Sequence, residues 1–525
     1  MRRYGIYLMI CMAVLCAGGF AVAAHDKDME DDDNKFSVHG EIRFRGENWD
    51  NLLDFTDKNS DTPGSEDDQF DIYPYRYRIL AKGDLGNDIW VGAEFQGTGV
   101  AGGGLFGENT APFGDGFEIA ESGVGVYQGY IKLMDIGNSM MDLTIGRSEL
   151  VLDTGLHFSA LPFYNGITHD GAIAGWQWDS FDLTGFWLMN SESNLNPIGI
   201  TCPTGGTIGL PSGLCPDEDA DFATWGIHGK HWIDDDHHHE AAWYAFLQEQ
   251  DSANLFGSPT PEEGMIITFG GRWGNYNKGE GGFHWNLEMA LQTGDYQTLA
   301  TGTLLMPNVW GAGTFASNPS CTPGTAGDAC DAGGMVFEGS LGYTWDGDVA
   351  HTIWGGVTHA SGDDDPNDED QDAFMPLYTD FHKRLGYADL WAISNIQAWY
   401  AGYKGMANDK HLFGGTFYMF QKAEEGGLSY SPLTGGGGVF VDCPPFGGAS
   451  FDDGCDDDLG QEIDIFYNYY MTNNLSFDTA LSWVDPGDAV EDHICGVDAS
   501  GDSVCSDGEG GDSGWRLTYQ ARARF

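Results

Sequence analysis

The last eleven residues, WRLTYQARARF at 515–525, carry the reading that decides the fold. Trp515, Leu517, Tyr519, Ala521, Ala523 and Phe525 share one parity, and Arg516, Thr518, Gln520, Arg522 and Arg524 share the other. A period of two is the signature of an extended strand whose faces meet different media. The same alternation opens at Phe36–Glu47, where Phe36, Val38, Ile42 and Phe44 oppose His39, Glu41, Arg43, Arg45 and Glu47. It recurs at Tyr73–Lys82, where Tyr73, Tyr75, Tyr77 and Ile79 oppose Arg76, Arg78 and Lys82.

Followed along the chain, the pattern predicts eighteen strands, near 36–48, 71–83, 88–98, 124–134, 141–150, 168–178, 181–190, 221–232, 239–249, 263–275, 282–294, 334–345, 349–360, 391–403, 410–421, 460–472, 474–484 and 514–525. Connections alternate between short turns, such as 84–87 and 179–180, and long ones, such as 49–70, 361–390 and 485–513. An even number of strands, alternating connection lengths and aromatic residues near the strand ends on the apolar face predict an all-β fold. It is a transmembrane antiparallel up-and-down β-barrel with long loops on the extracellular side. A soluble β-sandwich would alternate too, but would not place its rings in two girdles. In hydrocarbon an unpaired strand edge costs several kcal/mol per backbone group, so the last strand must close on the first. The terminal aromatic strand also resembles the signal read by the outer-membrane assembly machinery.

The N-terminus fits export. Arg2 and Arg3 precede an apolar stretch from Ile6 to Phe20, and small residues at 21–24 offer a cleavage site, so residues 1–24 read as a signal peptide. Residues 25–35 are a short acidic segment, too small for a plug, and 36–525 form the barrel. The expected location is the outer membrane of a Gram-negative-type bacterium. Eight cysteines remain after the signal, in four close pairs: Cys202 with Cys215, Cys321 with Cys330, Cys443 with Cys455, and Cys495 with Cys505. All fall in long connections, hence on one side, and local pairing as disulfide clips is the simplest of the many connectivities that an export compartment permits.

Charge sets the chemistry. The formal net charge is −58, which repels a phosphate backbone, so nucleic acid is not expected as a partner. Against that background, Arg43, Arg45, Arg76, Arg78, Lys82, Arg516, Arg522 and Arg524 all take inward parity on three strands that closure makes neighbours. They are eight of only 23 Lys and Arg residues. Later strands turn acids inward: Glu288, Glu338, Glu462, Asp464 and Asp478. A lumen with one basic and one acidic wall carries a transverse field, and guanidinium groups hold carboxylates bidentately. Alternatively, the opposite charges pair within the wall, Glu41 and Glu47 with nearby arginines. Trp90 is an inward exception among lipid-facing rings.

Two regions resemble the alginate-export barrel family. YQGYIKL at 127–133, LTIGRSEL at 143–150 and HDG at 169–171 resemble its QAYVDL, GRQEL and FDG succession. ASGDDDPN at 360–367, FMPLY at 374–378 and GYADL at 386–390 resemble its ASGDDDP, F.PLYP and GYADL stretch. Ser148 stands where the family has Gln and Thr379 where it has Pro; the cysteine pairs and acidic loops also depart from its pattern. The resemblance implies a channel in the outer-membrane lipid bilayer and adds Arg147 to the lumen network. Small or anionic solutes would pass through a passive pore or, in the alternative, an anionic exopolysaccharide such as alginate through a dedicated exporter. A surface adhesion or metal-capture barrel is a third reading. No catalytic constellation stands out, so no enzyme is expected. No cofactor is expected either, apart from Ca²⁺ in the acidic loops, where Asp363, Asp365 and Asn367 supply hard oxygen ligands. That stretch breaks the EF-hand pattern at Asp368 and Phe374. Asp234–Glu240, with three histidines, reads as a polar turn or a transition-metal site.

Overall fold

The computed structural model describes residues 35–52, 70–101, 124–191, 222–234, 239–250, 254–255, 258–259, 264–275, 281–296, 330–364, 370–380, 382–425, 429–431, 438–441, 456–490 and 512–525. The wall consists of eighteen antiparallel strands. In chain order they are β1 Phe36–Asp50, β2 Pro74–Gly86, β3 Ile89–Val100, β4 Val124–Leu133, β5 Met141–Ser148, β6 His169–Trp178, β7 Phe181–Ser191, β8 Phe222–Trp232 and β9 His239–Gln250. The second half comprises β10 Gly264–Asn275, β11 Gly282–Tyr296, β12 Met335–Trp345, β13 Val349–Ala360, β14 Ile396–Ala407, β15 His411–Gln421, β16 Asp458–Thr472, β17 Leu475–Pro486 and β18 Gly514–Arg524. Each pairs with its neighbours in sequence, and β18 pairs with β1 from Glu41↔Arg524 to Asp50↔Trp515. The ladder is therefore closed, as backbone satisfaction in hydrocarbon requires. Among the described residues no helix is long and apolar enough to cross a membrane.

Exposure separates the two faces. Phe44, Tyr77, Trp225, Trp273, Trp399 and Trp483 are exposed on the outside, whereas Arg43, Arg76, Thr224, Arg272, Ala398 and Ser482, one position away in each strand, are buried inside. The sheet is thus inverted relative to a soluble protein, with rings outward and charge inward, the arrangement expected for a lipid-facing wall. Near the short turns the outer rings touch one another from strand to strand, as in Phe283–Tyr343 at 4.8 Å and Trp273–Trp285 at 4.6 Å between centroids.

Two long connections depart from the expectation of external loops. Residues 149–168 and, of the second connection, residues 361–364, 370–380 and 382–395 turn inward and pack against each other inside the lumen. Ser159 donates its N–H to the Tyr378 carbonyl at 3.0 Å, and the Tyr378 N–H donates to His157 at 2.7 Å. Leu156, Phe158, Phe374, Leu385, Leu390 and Trp391 form an apolar core between them, against Phe186, Leu188, Phe246 and Phe420 of the wall. Trp391–Asn395, read from sequence as the start of a strand, belongs to this core, and β14 begins only at Ile396.

The signal segment, residues 1–24, and all but the last residue of the acidic segment 25–35 lie outside the described residues. So do seven of the eight cysteines expected to form clips: Cys202, Cys215, Cys321, Cys443, Cys455, Cys495 and Cys505. The backbone of Cys330 opens a three-residue strand, Cys330–Ala332, that pairs with the end of β11 through Tyr296. Its side chain, like the other seven, is outside the described set, so the pairings of Cys202 with Cys215, Cys321 with Cys330, Cys443 with Cys455 and Cys495 with Cys505 stay expectations of the sequence.

Candidate functional site

The basic wall forms as its parity dictates, and closure sets like charges opposite one another: Arg43 faces Arg76 on one side and Arg522 on the other. Such a wall needs acceptors. The 149–168 loop supplies them as backbone carbonyls. Arg43 donates to Pro162 at 3.0 Å, Phe163 at 2.5 Å and Tyr164 at 3.1 Å. Arg76 donates to Tyr164 at 2.6 Å, Arg78 to Asn165 at 2.6 Å, and Arg45 to Phe163. The Phe163 ring lies under the Arg45 guanidinium at 4.0 Å, adding a cation–π contact. Carboxylates of the wall take other donors: Glu41 pairs with Arg76 at 2.6 Å, and Glu47 with Arg45 and Arg516, each at 2.6 Å.

The acidic wall holds the second loop. Glu462 accepts the Ala388 N–H at 2.9 Å, and Asp464 accepts the Tyr387 N–H at 3.1 Å and the Ser482 hydroxyl at 2.6 Å. Glu338 pairs with Arg384 at 2.7 Å, and Glu288 accepts from Thr154 at 2.7 Å. Gly386 makes the close approach possible: its φ is +94°, and a Cβ there would stand 2.4 Å from Glu462 Oε1.

The loops meet at His382. Its ring stacks on Phe163 at 3.5 Å and on Tyr387 at 4.9 Å, and its Nδ1 lies 2.7 Å from Asp389 Oδ1. Asp389 also accepts from Arg516 at 2.6 Å. Burial works to raise the Asp389 carboxyl, but the charges of His382 and Arg516 outweigh it and hold the group below the usual carboxylate range. Asp153, at the other end of the first loop, lies 2.5 Å from His228 and 2.8 Å from Lys230. Burial again opposes ionisation, and these two partners overcome it, holding Asp153 at about 2. Burial pushes the His157 imidazole down to about 3, so it stays neutral among Tyr244, Phe246 and Phe374.

The remaining sequence-derived sites divide. Arg522 lies 3.6 Å from Asp478 and Arg524 lies 3.5 Å from Glu41, both toward the short-turn end of the lumen, where Lys82 and Trp90 also face inward. Arg147 is a correction. It shares its face with Leu143 and the exposed Ile145, so it points away from the lumen, and its charge is matched by Asp170 directly opposite on β6 at 2.5 Å. Asp363 is buried at the start of the second loop, while Asp365 and Asn367 lie outside the described residues. Among the described residues no group of three His, Cys, Asp or Glu side chains is arranged to hold a metal. Asp234 and His239 close their short turn on each other at 2.9 Å.

Sequence reading missed Asp153, His382, Arg384 and Asp389 as anchors, and above all the carbonyls of 162–165. The signal was present in the quoted motifs. Tyr127 bonds Glu149 of GRSEL at 2.6 Å, Arg147 and Asp170 join GRSEL to HDG, and FMPLY and GYADL are the stretches that fill the lumen. They are the hinges and contact surfaces of the two inward loops.

The structure is similar to crystal structures of Pseudomonas aeruginosa outer-membrane proteins. These include OprD (10% identity, TM-score 0.48, covering 97% of this chain and 98% of that one), OccK8 (OprE) (12%, 0.48, 93% and 98%) and OccK11 (OpdR) (11%, 0.46, 93% and 96%). No curated protein sequence matches the chain. The family model for alginate export matches residues 217–498, more than half of the length, and the chain belongs to the alginate export family of outer-membrane β-barrels.

Proposed function

We propose that this barrel is an outer-membrane channel that passes small or anionic solutes, with the two inward loops forming its constriction. The observation that carries the reading is how the loops are held. They are docked by ion pairs and by hydrogen bonds from side chains to carbonyls, on a wall that stays charged toward the short-turn side through Arg522, Arg524, Lys132 and Lys230. An inner face built only for packing would be apolar, because buried charge is costly unless paired. Charges that can exchange a loop carbonyl for a solute carboxylate serve weak, multi-site passage. No enzymatic role is proposed.

Family membership supports a narrower second reading, dedicated export of an anionic polysaccharide along the same arginines. Planar-bilayer recording tests both. The refolded protein should give discrete current steps, and oligouronates should block them while neutral oligosaccharides of equal length do not. Complete absence of current across a range of voltages and pH removes the channel reading. Equal block by neutral chains removes the exporter reading.

A further inference from the structure

Below the acidic wall, away from the arginines of β1, β2 and β18, four adjacent strands bring together His284 on β11, Thr344 on β12, Thr352 and Trp354 on β13, and Lys404 on β14. All have inward parity, since their neighbours Phe283, Tyr343, Ile353 and Trp399 are exposed to the outside. Thr352 and Lys404 are direct cross-strand partners, and so are Trp354 and Gly402.

Lys404 differs from the other cations of the wall. Arg43, Arg76 and Arg78 donate to loop carbonyls, Lys132 pairs with Asp142, Lys230 with Asp153, and Arg272 with Glu240. Among the described residues Lys404 has neither an ion pair nor a hydrogen bond, and its side chain is exposed to the lumen. In a chain of net charge −58, an inward lysine with no anion among the described residues is open to an anionic solute.

The surface beside it is built. The Trp354 indole lies across Gly402, where a Cβ would stand 2.3 Å from Trp354 Cζ2, so the wall backs the ring. The ammonium stands over the ring at 5.9 Å from its centroid, at the outer limit of a cation–π contact. Around it, the Thr344 hydroxyl lies 3.0 Å from His284 Nε2 and 2.8 Å from the Thr352 hydroxyl, a hydrogen-bonded polar floor. A flat apolar face beside one positive charge suits a solute that is itself a ring with one negative charge.

We infer that Trp354 and Lys404 form a subsite for ring-bearing monocarboxylates, in which the ring stacks on the indole and the carboxylate meets the ammonium. The inference rests on the channel reading for its purpose, but not for its detection, because binding is measurable at equilibrium. The test uses the full chain refolded in detergent micelles and saturation-transfer NMR, which reads the millimolar affinities that transport requires. D-glucuronate, benzoate and D-glucose are the probes. At least one acid should bind about tenfold more tightly than glucose. The tighter acid tells whether the source is a sugar acid or an aromatic acid.

Lys404→Gln should abolish the preference for the acid, and Lys404→Arg should keep it. Trp354→Leu should weaken acid and glucose by similar factors, with Trp354→Phe intermediate. The folded-barrel mobility shift on unheated gels reports that each variant is intact. Acid and glucose binding equally to the parent, or a preference that survives in Lys404→Gln, overturns the subsite. Currents recorded on the same samples separate the two claims. A conducting barrel without acid preference loses only the subsite, and a silent barrel that still prefers the acid loses only the transport reading.

Discussion

Asp153 shows how one side chain sets the state of a loop. It takes a left-handed backbone, φ +44°, which Asp tolerates better than most residues, and its carboxylate leaves the first inward loop to meet His228 and Lys230 on β8. Its pKa falls from the ordinary 3.8 to about 2 on docking. A depressed carboxyl contributes docking free energy that is fully present above the undocked value and is lost as pH falls through the docked one. The contribution is about 2 kcal/mol, and its window runs from about pH 4 down to about pH 2. Hydrogen exchange of the Leu152–Leu161 amides should therefore accelerate across that window, and Asp153→Asn should be faster at neutral pH and flat below pH 4. An unchanged acid response in Asp153→Asn would assign the docking to other groups. Asp153 was invisible to the sequence reading because alternation reports which face a strand residue takes and is silent on a loop residue. The converse error, Arg147, came from a motif likeness at a position whose parity the sequence left open, and the strand gives it the face of Leu143 and Ile145.

At the scale of elements, the strands were legible and the loops were not, for one physical reason. A strand between lipid and water must alternate, and each of the eighteen predicted segments overlaps an observed wall strand. A loop is placed by whatever acceptors or apolar surface it offers. Trp391–Asn395 looked like the start of a strand because Trp391, Ala392 and Ile393 are apolar, and these three are apolar because they pack inside the lumen. The second loop depends on Gly386, whose positive φ and missing Cβ let the next two amides reach Asp464 and Glu462. Gly386→Ala meets both backbone strain and the Glu462 carboxylate, together worth roughly 1–3 kcal/mol against docking. Limited proteolysis in micelles should then cut within 361–395 about ten times faster, at 1.4 kcal/mol per factor of ten, while the barrel wall stays resistant. A loop as resistant as the parent's would show that the approach to Glu462 does not hold it.

For the whole molecule, stability and permeability are separable, because the ladder that closes the wall uses none of the hydrogen bonds that dock the loops. β1 to β18 pair backbone to backbone around the circumference, whereas the loops are held by side chains of the wall and by each other. The basic wall was foreseen from parity, but its occupation was not, since carbonyls leave no trace in a charge pattern. Occupation changes what the lumen presents. With the 149–168 loop docked, Arg43, Arg45, Arg76 and Arg78 spend their donors on Pro162–Asn165, and the pore keeps only what the loops leave open. Replacing residues 151–166 by a short Gly-Ser link removes these acceptors and takes Leu156, Phe158, Leu161 and Tyr164 out of the apolar core while leaving every wall strand whole. Such a variant should still show the folded mobility shift and should conduct severalfold more current. Its reversal potential in a salt gradient should move toward anion selectivity, because the freed guanidiniums outnumber Glu41 and Glu47 along β1 and β2 and focus anions in a narrow, low-dielectric lumen. Unchanged conductance would mean that the constriction lies elsewhere. Greater conductance without the anion shift would mean that the wall arginines pair internally once the loop is gone and do not face the solute.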